Sequence, residues 1–203
     1  MAAPLRYVAL GDSYTIGTAL DDPSERWPDR LVGALGGEPP ALELVANLAV
    51  NGYTSGDVIG RELPQLDAWR PEFVSLLIGV NDVVQGVPDA TYAARVSELL
   101  GELLARLPAS RIVTVATPDY TVTPSGADYG DPARQAARIR DVNAILRGEA
   151  KARGVAWVDI HDLSLRAGAD RSLVADDGLH PSGAQYALWV ERIRPVVAAL
   201  LAR

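Results

Sequence analysis

Short apolar runs, rich in β-branched residues, alternate along this chain with longer amphipathic stretches, and this alternation limits the fold more than any other property of the sequence. The runs at residues 6–10, 42–47, 73–78, 112–116 and 155–159 have the length and composition of strands. Between them, helical periodicity covers 27–35, 55–69, 91–107 and 131–153, and a last helix is expected from 181 to the end. Strands separated by helix-length crossovers run parallel, and a parallel sheet buries both faces under helices. The expected fold class is therefore α/β, a three-layer α/β/α sandwich around a five-stranded parallel sheet. In the last helix Tyr186, Trp189, Val190, Ile193, Val197 and Leu200 recur at spacings of three and four, which gives one apolar face. Pro195 interrupts that helix and predicts a kink or a break.

A chain of 203 residues with 48% hydrophobic and 22% charged residues suits a single domain, residues 1–203, able to bury about 70% of the surface of its unfolded chain. The net charge is −7 and the 19 basic residues form no run, which argues against a nucleic-acid or anionic-membrane partner. No apolar run approaches the ~20 residues of a membrane span. The apolar stretch before Gly11 is too short for a signal-peptide core, so a cytoplasmic protein is expected. There is no cysteine, hence no thiolate nucleophile or metal site, and no internal repeat stands out.

Histidine chemistry has two possible carriers, His161 and His180. His180 stands in Asp177-Gly178-Leu179-His180-Pro181-Ser182, with a carboxylate three residues before it in a Gly/Pro turn. Far upstream, Ser13 ends Leu10-Gly11-Asp12-Ser13. A serine, a histidine and an aspartate are the parts of a nucleophilic triad, in which the imidazole takes the hydroxyl proton. His161, in Asp159-Ile160-His161-Asp162, has no comparable turn and is expected to be structural or exposed. Further polar blocks fall just past the strands: Gly11-Asp12-Ser13, Asn51-Gly52 and Gly79-Val80-Asn81-Asp82. Open α/β sheets form their ligand crevices at such strand ends. The longest irregular stretch, 117–130, carries Tyr120 and Tyr129 and is expected either to border the substrate or to be a solvated connector.

These four blocks, in this order and spacing, resemble the SGNH hydrolase superfamily, also called the GDSL esterases and lipases, over nearly the whole chain from Gly11 to Ser182. The resemblance implies flavodoxin-like topology and a serine hydrolase that cleaves carboxylic esters, short-chain acyl or aryl esters first, through an acyl-serine intermediate. It implies Ser13 as nucleophile, His180 as base, and Asp177 rather than Asp176 as the carboxylate orienting the imidazole. The oxyanion donors it implies are the backbone N–H of Ser13, the backbone N–H of Gly52 and the side-chain amide of Asn81. It implies no cofactor and no metal, and a small-molecule ester as the partner; the oligomeric state stays open. Tyr14 stands where the family commonly has leucine, which weakens inference about the acyl group. Tyr14, Tyr53, Val83 and Tyr120, with Ile16 and Val84, neighbour the blocks and are candidates for lining the substrate pocket or for core packing. Asp12 and Asp82 are expected to hydrogen-bond backbone in the turns.

The same machinery serves acyl thioesterases, lysophospholipases and carbohydrate acetyl esterases, so the fold and the triad do not choose the substrate. A nucleotide or flavin site is disfavoured because the first loop lacks a three-glycine fingerprint and a P-loop lysine, and places Asp12 where phosphate needs positive surroundings. A non-catalytic binding module of flavodoxin-like fold is expected to have lost Ser13, Asn81 or His180, and all three are present. A metal hydrolase has little support from two histidines remote in sequence.

Overall fold

A computed structural model of the protein describes residues 3–36 and 41–202. The chain runs β1 (Leu5–Gly11), α1 (Ser13–Ile16), α2 (Trp27–Leu35), β2 (Leu42–Asn47), α3 (Ser55–Asp57), α4 (Leu66–Trp69), β3 (Phe73–Leu77), α5 (Val80–Val84) and α6 (Asp89–Arg106). It continues through β4 (Ile112–Val115), α7 (Pro132–Ala152), β5 (Ala156–Val158), α8 (His161–Ser164) and α9 (Gly183–Leu201). The described residues form a five-stranded sheet in the order β2-β1-β3-β4-β5, and every neighbouring pair is parallel. The α/β class and the five parallel strands are those the sequence predicts.

Handedness assigns the helices to their layers. Right-handed crossovers place the helix between β1 and β2 on one face and the later crossover helices on the other, because the chain reverses its direction of travel across the sheet after β2. Consistent with this, α2 packs against α9, and α6 against α7. Between the layers the sheet contributes Val8, Leu10, Phe73, Leu76, Ile112 and Val115. Leu31, Tyr186, Trp189 and Ile193 cover one face; Val96, Leu99, Leu103, Val142 and Leu146 cover the other, all fully buried. Each such aliphatic side chain contributes about 1.5–3 kcal/mol through burial. The reversal also fixes where a ligand can sit: connections leave the C-terminal ends of β1 and β3 in opposite directions, which opens a crevice between them.

Two of the expected helices carry a proline in their interior. The helix expected over 55–69 is helical throughout but changes its winding, passing without a gap from α3 through a π-helical turn Val58–Glu62 and a 3₁₀ turn Leu63–Gln65 into α4. Pro64 accounts for the change, since it has no N–H to donate and its ring crowds the carbonyl four residues back. By contrast, α9 runs through Pro195 without breaking. Arg203, the end of the helix expected from 181 onward, lies outside the described residues. Among the described residues no helix is long and apolar enough to cross a membrane.

Candidate active site

The first wall of the site is the turn after β1. Gly11 has φ +150°, and a Cβ there would lie 2.3 Å from the Leu77 carbonyl oxygen, so only glycine lets β1 approach the end of β3 this closely. Asp12 caps α1: its Oδ1 accepts the Tyr14 N–H at 3.0 Å. Ser13 is thus the first residue of the helix, a position whose N–H has no intrahelical acceptor. Neither the Ser13 N–H nor its Oγ has a hydrogen-bond partner among the described residues. Burial raises the Asp12 pKa to about 7, the nearby Asp82 adds to the effect, and the bond from Tyr14 opposes it.

The second wall is the turn before α9. Val174 and Pro181 form an antiparallel bridge, and the Ala175 N–H donates to the His180 carbonyl at 2.8 Å, closing a small loop. Inside it Asp177 Oδ1 accepts the N–H groups of Leu179 (2.9 Å) and His180 (3.0 Å), while Oδ2 lies 2.5 Å from His180 Nδ1. With Nδ1 engaged, Nε2 is the ring nitrogen left for the cavity that His180 lines. Partial burial alone would raise the Asp177 pKa; the bonds from the His180 ring and the two N–H groups outweigh it and hold the carboxyl below its ordinary value. Asp176 points elsewhere and lines a separate surface depression with Asp21 and Arg171. The 117–130 loop is tied to this turn, because the Ser125 N–H donates to the Gly178 carbonyl at 2.9 Å.

Two further segments bring donors. Gly52 has φ +79°, a conformation that presents its backbone where a side chain would be strained. Its N–H has no partner among the described residues. The loop that carries it is fixed to β1 by the Leu48 N–H on the Ala9 carbonyl (2.9 Å) and to the turn after α1 by a bond from Thr18 Oγ1 to Asn51 Oδ1. Asn81 is the second residue of α5, and its Nδ2 donates to the Tyr53 carbonyl at 2.9 Å, with Asp12 Oδ2 at 3.5 Å. Asp82, fully buried, accepts from the Ser55 N–H (2.8 Å) and the Ser55 hydroxyl (2.6 Å), which locks α5 to the segment after Gly52. Burial raises the Asp82 pKa against the bonds from Ser55 and the Arg95 guanidinium at 3.4 Å.

These walls enclose a cavity of about 230 Å³. Ser13, Asn51, Gly52, Asn81 and His180 line its polar side, and Tyr14, Val80, Val84, Tyr120, Tyr129 and Leu179 its apolar side. Of the pocket residues named from the sequence, Tyr14, Val84 and Tyr120 reach the cavity; Tyr53, Val83 and Ile16 do not line it. Val83 turns into the core at 3% exposure, and Tyr53 faces Asn81 with its carbonyl while its ring lies 5.6 Å from the Arg61 guanidinium. Val80 and Leu179 line it too without being pocket candidates from the sequence, as does Tyr129, which the sequence places only in the 117–130 loop. Val80 and Leu179 sit inside the polar blocks, which is the local signal that singles them out. Tyr129 arrives by packing edge-on against Tyr120, with ring centroids 6.0 Å apart. His161 lies outside the cavity, its Nε2 3.5 Å from Asp119 Oδ2.

Comparison with known proteins gives a concordant result. A family model described as GDSL-like lipase/acylhydrolase matches residues 9–188. Among solved structures, the chain is similar to a variant of Axe2, an acetyl xylan esterase from Geobacillus stearothermophilus, with 20% identity, 95% of this chain and 94% of that chain covered, and a TM-score of 0.73. It is likewise similar to a lipase/acylhydrolase from Enterococcus faecalis, with 23% identity, coverage of 98% and 97%, and a TM-score of 0.73. TesA aligns at 18% identity over 96% and 99% of the two chains, with a TM-score of 0.76. No curated protein matches the sequence significantly.

Proposed function

Because the chain belongs to the GDSL-like lipase/acylhydrolase family, we propose that it is a serine esterase that cleaves carboxylic esters of short acyl chains or aryl alcohols through an acyl-serine intermediate. The observation that carries this reading is the His180–Asp177 pair at 2.5 Å, opening on the same cavity as Ser13, Gly52 and Asn81. In the first half-reaction Ser13 Oγ attacks the ester carbonyl carbon as His180 Nε2 takes its proton. The oxyanion of the tetrahedral intermediate meets the N–H groups of Ser13 and Gly52 and the Asn81 amide. Collapse breaks the bond to the alcohol oxygen, which leaves with the proton from His180. In the second half-reaction water adds to the acyl carbon, gives its proton to His180, and the acid departs as that proton returns to Ser13.

Throughout, Asp177 fixes the imidazole orientation and stays ionised, as its lowered pKa favours. The size of the cavity supports a small substrate: about 230 Å³ lies below the ~300–1,000 Å³ of sites for drug-sized ligands. Its aromatic side, Tyr14, Tyr120 and Tyr129, suits a flat or compact group. Neighbours of the same fold include an acetyl xylan esterase, and an acetylated sugar is an alternative substrate on the same machinery.

A chain-length series of p-nitrophenyl esters, with a matched thioester and an acetylated sugar, tests the substrate. kcat/KM is expected to peak at acetate to butyrate and to fall for longer acyl chains; a maximum at long chains overturns the short-acyl reading. Replacing Asn81 with Ala is expected to lower kcat by about 10²–10³-fold, the effect of one oxyanion donor. Because Asn81 also holds the Tyr53 carbonyl, the thermal melt of the variant is measured beside its kinetics.

A further inference from the structure

Glu62 lies directly beneath the nucleophile turn, fully buried on the π-helical turn Val58–Glu62. Its Oε2 accepts the Gly11 N–H at 2.9 Å, and its Oε1 is buried without a partner. The peptide it holds is a junction. Gly11 leads through Asp12 to Ser13, and the Gly11 carbonyl accepts the Val50 N–H at 3.4 Å, at the start of the segment that carries Asn51 and Gly52. An α-helix or π-helix places its side chains differently around the axis, so the Pro64-induced change of winding helps set the direction in which Glu62 leaves its helix.

The charged groups on the elements packed around this turn leave Glu62 without a counter-ion. Asp12 approaches from the turn after β1, Asp57 from α3, and Asp82 lies across Ser55. Arg95 of α6 is engaged with Asp82, and Arg61 pairs with Asp57 at 3.4 Å and covers Tyr53. Among the described residues no basic group pairs with Glu62. A buried carboxylate with one hydrogen bond, no cation and acidic neighbours is strongly disfavoured against its protonated form.

We propose that Glu62 is a positioning residue that acts as a neutral carboxyl, holding the Gly11 peptide so that the nucleophile turn and the Gly52 segment keep their relative placement. Its consequence for turnover rests on the esterase reading above; its protonation state does not. Burial pushes its pKa up to about 9 despite the bond from Gly11, and Asp12 and Asp57 push in the same direction. The sign of the stability effect follows: the unfolded chain releases this proton from about the ordinary 4.5 upward while the fold retains it up to about 9. Glu62 therefore makes the protein less stable as pH rises through that window.

Thermal melting of the native protein and of Glu62→Gln, from about pH 5 to about pH 9, reads the protonation state without reference to activity. The glutamine keeps an acceptor for Gly11 and cannot ionise, so its melting temperature is expected to rise above that of the native protein by several degrees near pH 8, with the gap closing toward pH 5. Parallel pH dependences, or a more stable native protein at pH 8, show an ionised Glu62 and overturn the proposal. In kinetics, the native kcat is expected to fall above about pH 9 with a slope of about one per pH unit, a limb that Glu62→Gln lacks. Glu62→Leu, which strands the Gly11 N–H, loses kcat more than it changes KM, and glutamine rescues it; a leucine variant that folds with native kcat refutes the positioning role. If the leucine variant does not fold, the alkaline limb of Glu62→Gln decides: its disappearance supports the role and its persistence refutes it. If no ester is turned over by the native protein, the esterase reading fails while the melting experiment still decides whether Glu62 is neutral.

Discussion

Replacing Ser13 with Ala is expected to lower kcat for a small chromogenic ester by about 10⁵–10⁶-fold while the protein stays folded, the scale set when a serine nucleophile is removed from a triad that works as a unit. Two features separate this loss from misfolding. Ser13 Oγ has no hydrogen-bond partner among the described residues, so removing it strands no buried group. The cap on α1 comes from Asp12 and not from Ser13, so the helix keeps its N-terminal bond. A residual rate above that of water is expected on this reading, because the proposed oxyanion donors and the cavity remain. The measurement is kcat with a parallel thermal melt; near-normal turnover by a folded Ser13→Ala protein sinks the acyl-serine mechanism.

Asp177→Asn is expected to cost about 10³–10⁴-fold in kcat with little change in geometry. The asparagine carbonyl can still accept the N–H groups of Leu179 and His180, as Asp177 Oδ1 does. Its amide would then donate to His180 Nδ1, leaving the ring proton on Nε2, where it cannot accept the proton of Ser13. Stability carries a second signature of the same group. Its folded pKa is depressed, so Asp177 stabilises the fold above about 3.8, its ordinary value, and that contribution is lost as pH falls through the folded value. Asp177→Asn is therefore expected to be less stable than the native protein near neutral pH and to approach it in acid. An asparagine variant with native kcat would show that Asp177 does not set the imidazole tautomer.

The sheet and its crossovers are readable because strand and helix periods are local properties, and no strand end lies more than one residue from its expected place. The helix expected over 55–69 is present from end to end, but its changes of winding are not legible in the spacing. Its apolar spacing survives the π-helical and 3₁₀ turns, while the effect of Pro64 depends on which backbone partners the tertiary structure offers. In α9 a proline in the interior was absorbed without a break, held by Trp189, Ile193 and Val197 in the core. The cavity wall was the least readable part. Val83 and Val84 are adjacent residues of one helix, about 100° apart around its axis, and only the packing of α5 sends Val84 to the cavity and Val83 to the core.

By itself the sequence determined the order of strands and helices, the three polar blocks past the strand ends and the turn that joins Asp177 to His180, because each depends on residues within a few positions of one another. Tertiary structure alone decided that Ser13, Gly52, Asn81 and His180 face one cavity, that Tyr120 and Tyr129 close it, and that Glu62 reaches Gly11 from 51 residues away. Those relations depend on strand order and on the direction in which each side chain leaves its backbone, and neither is encoded in local spacing.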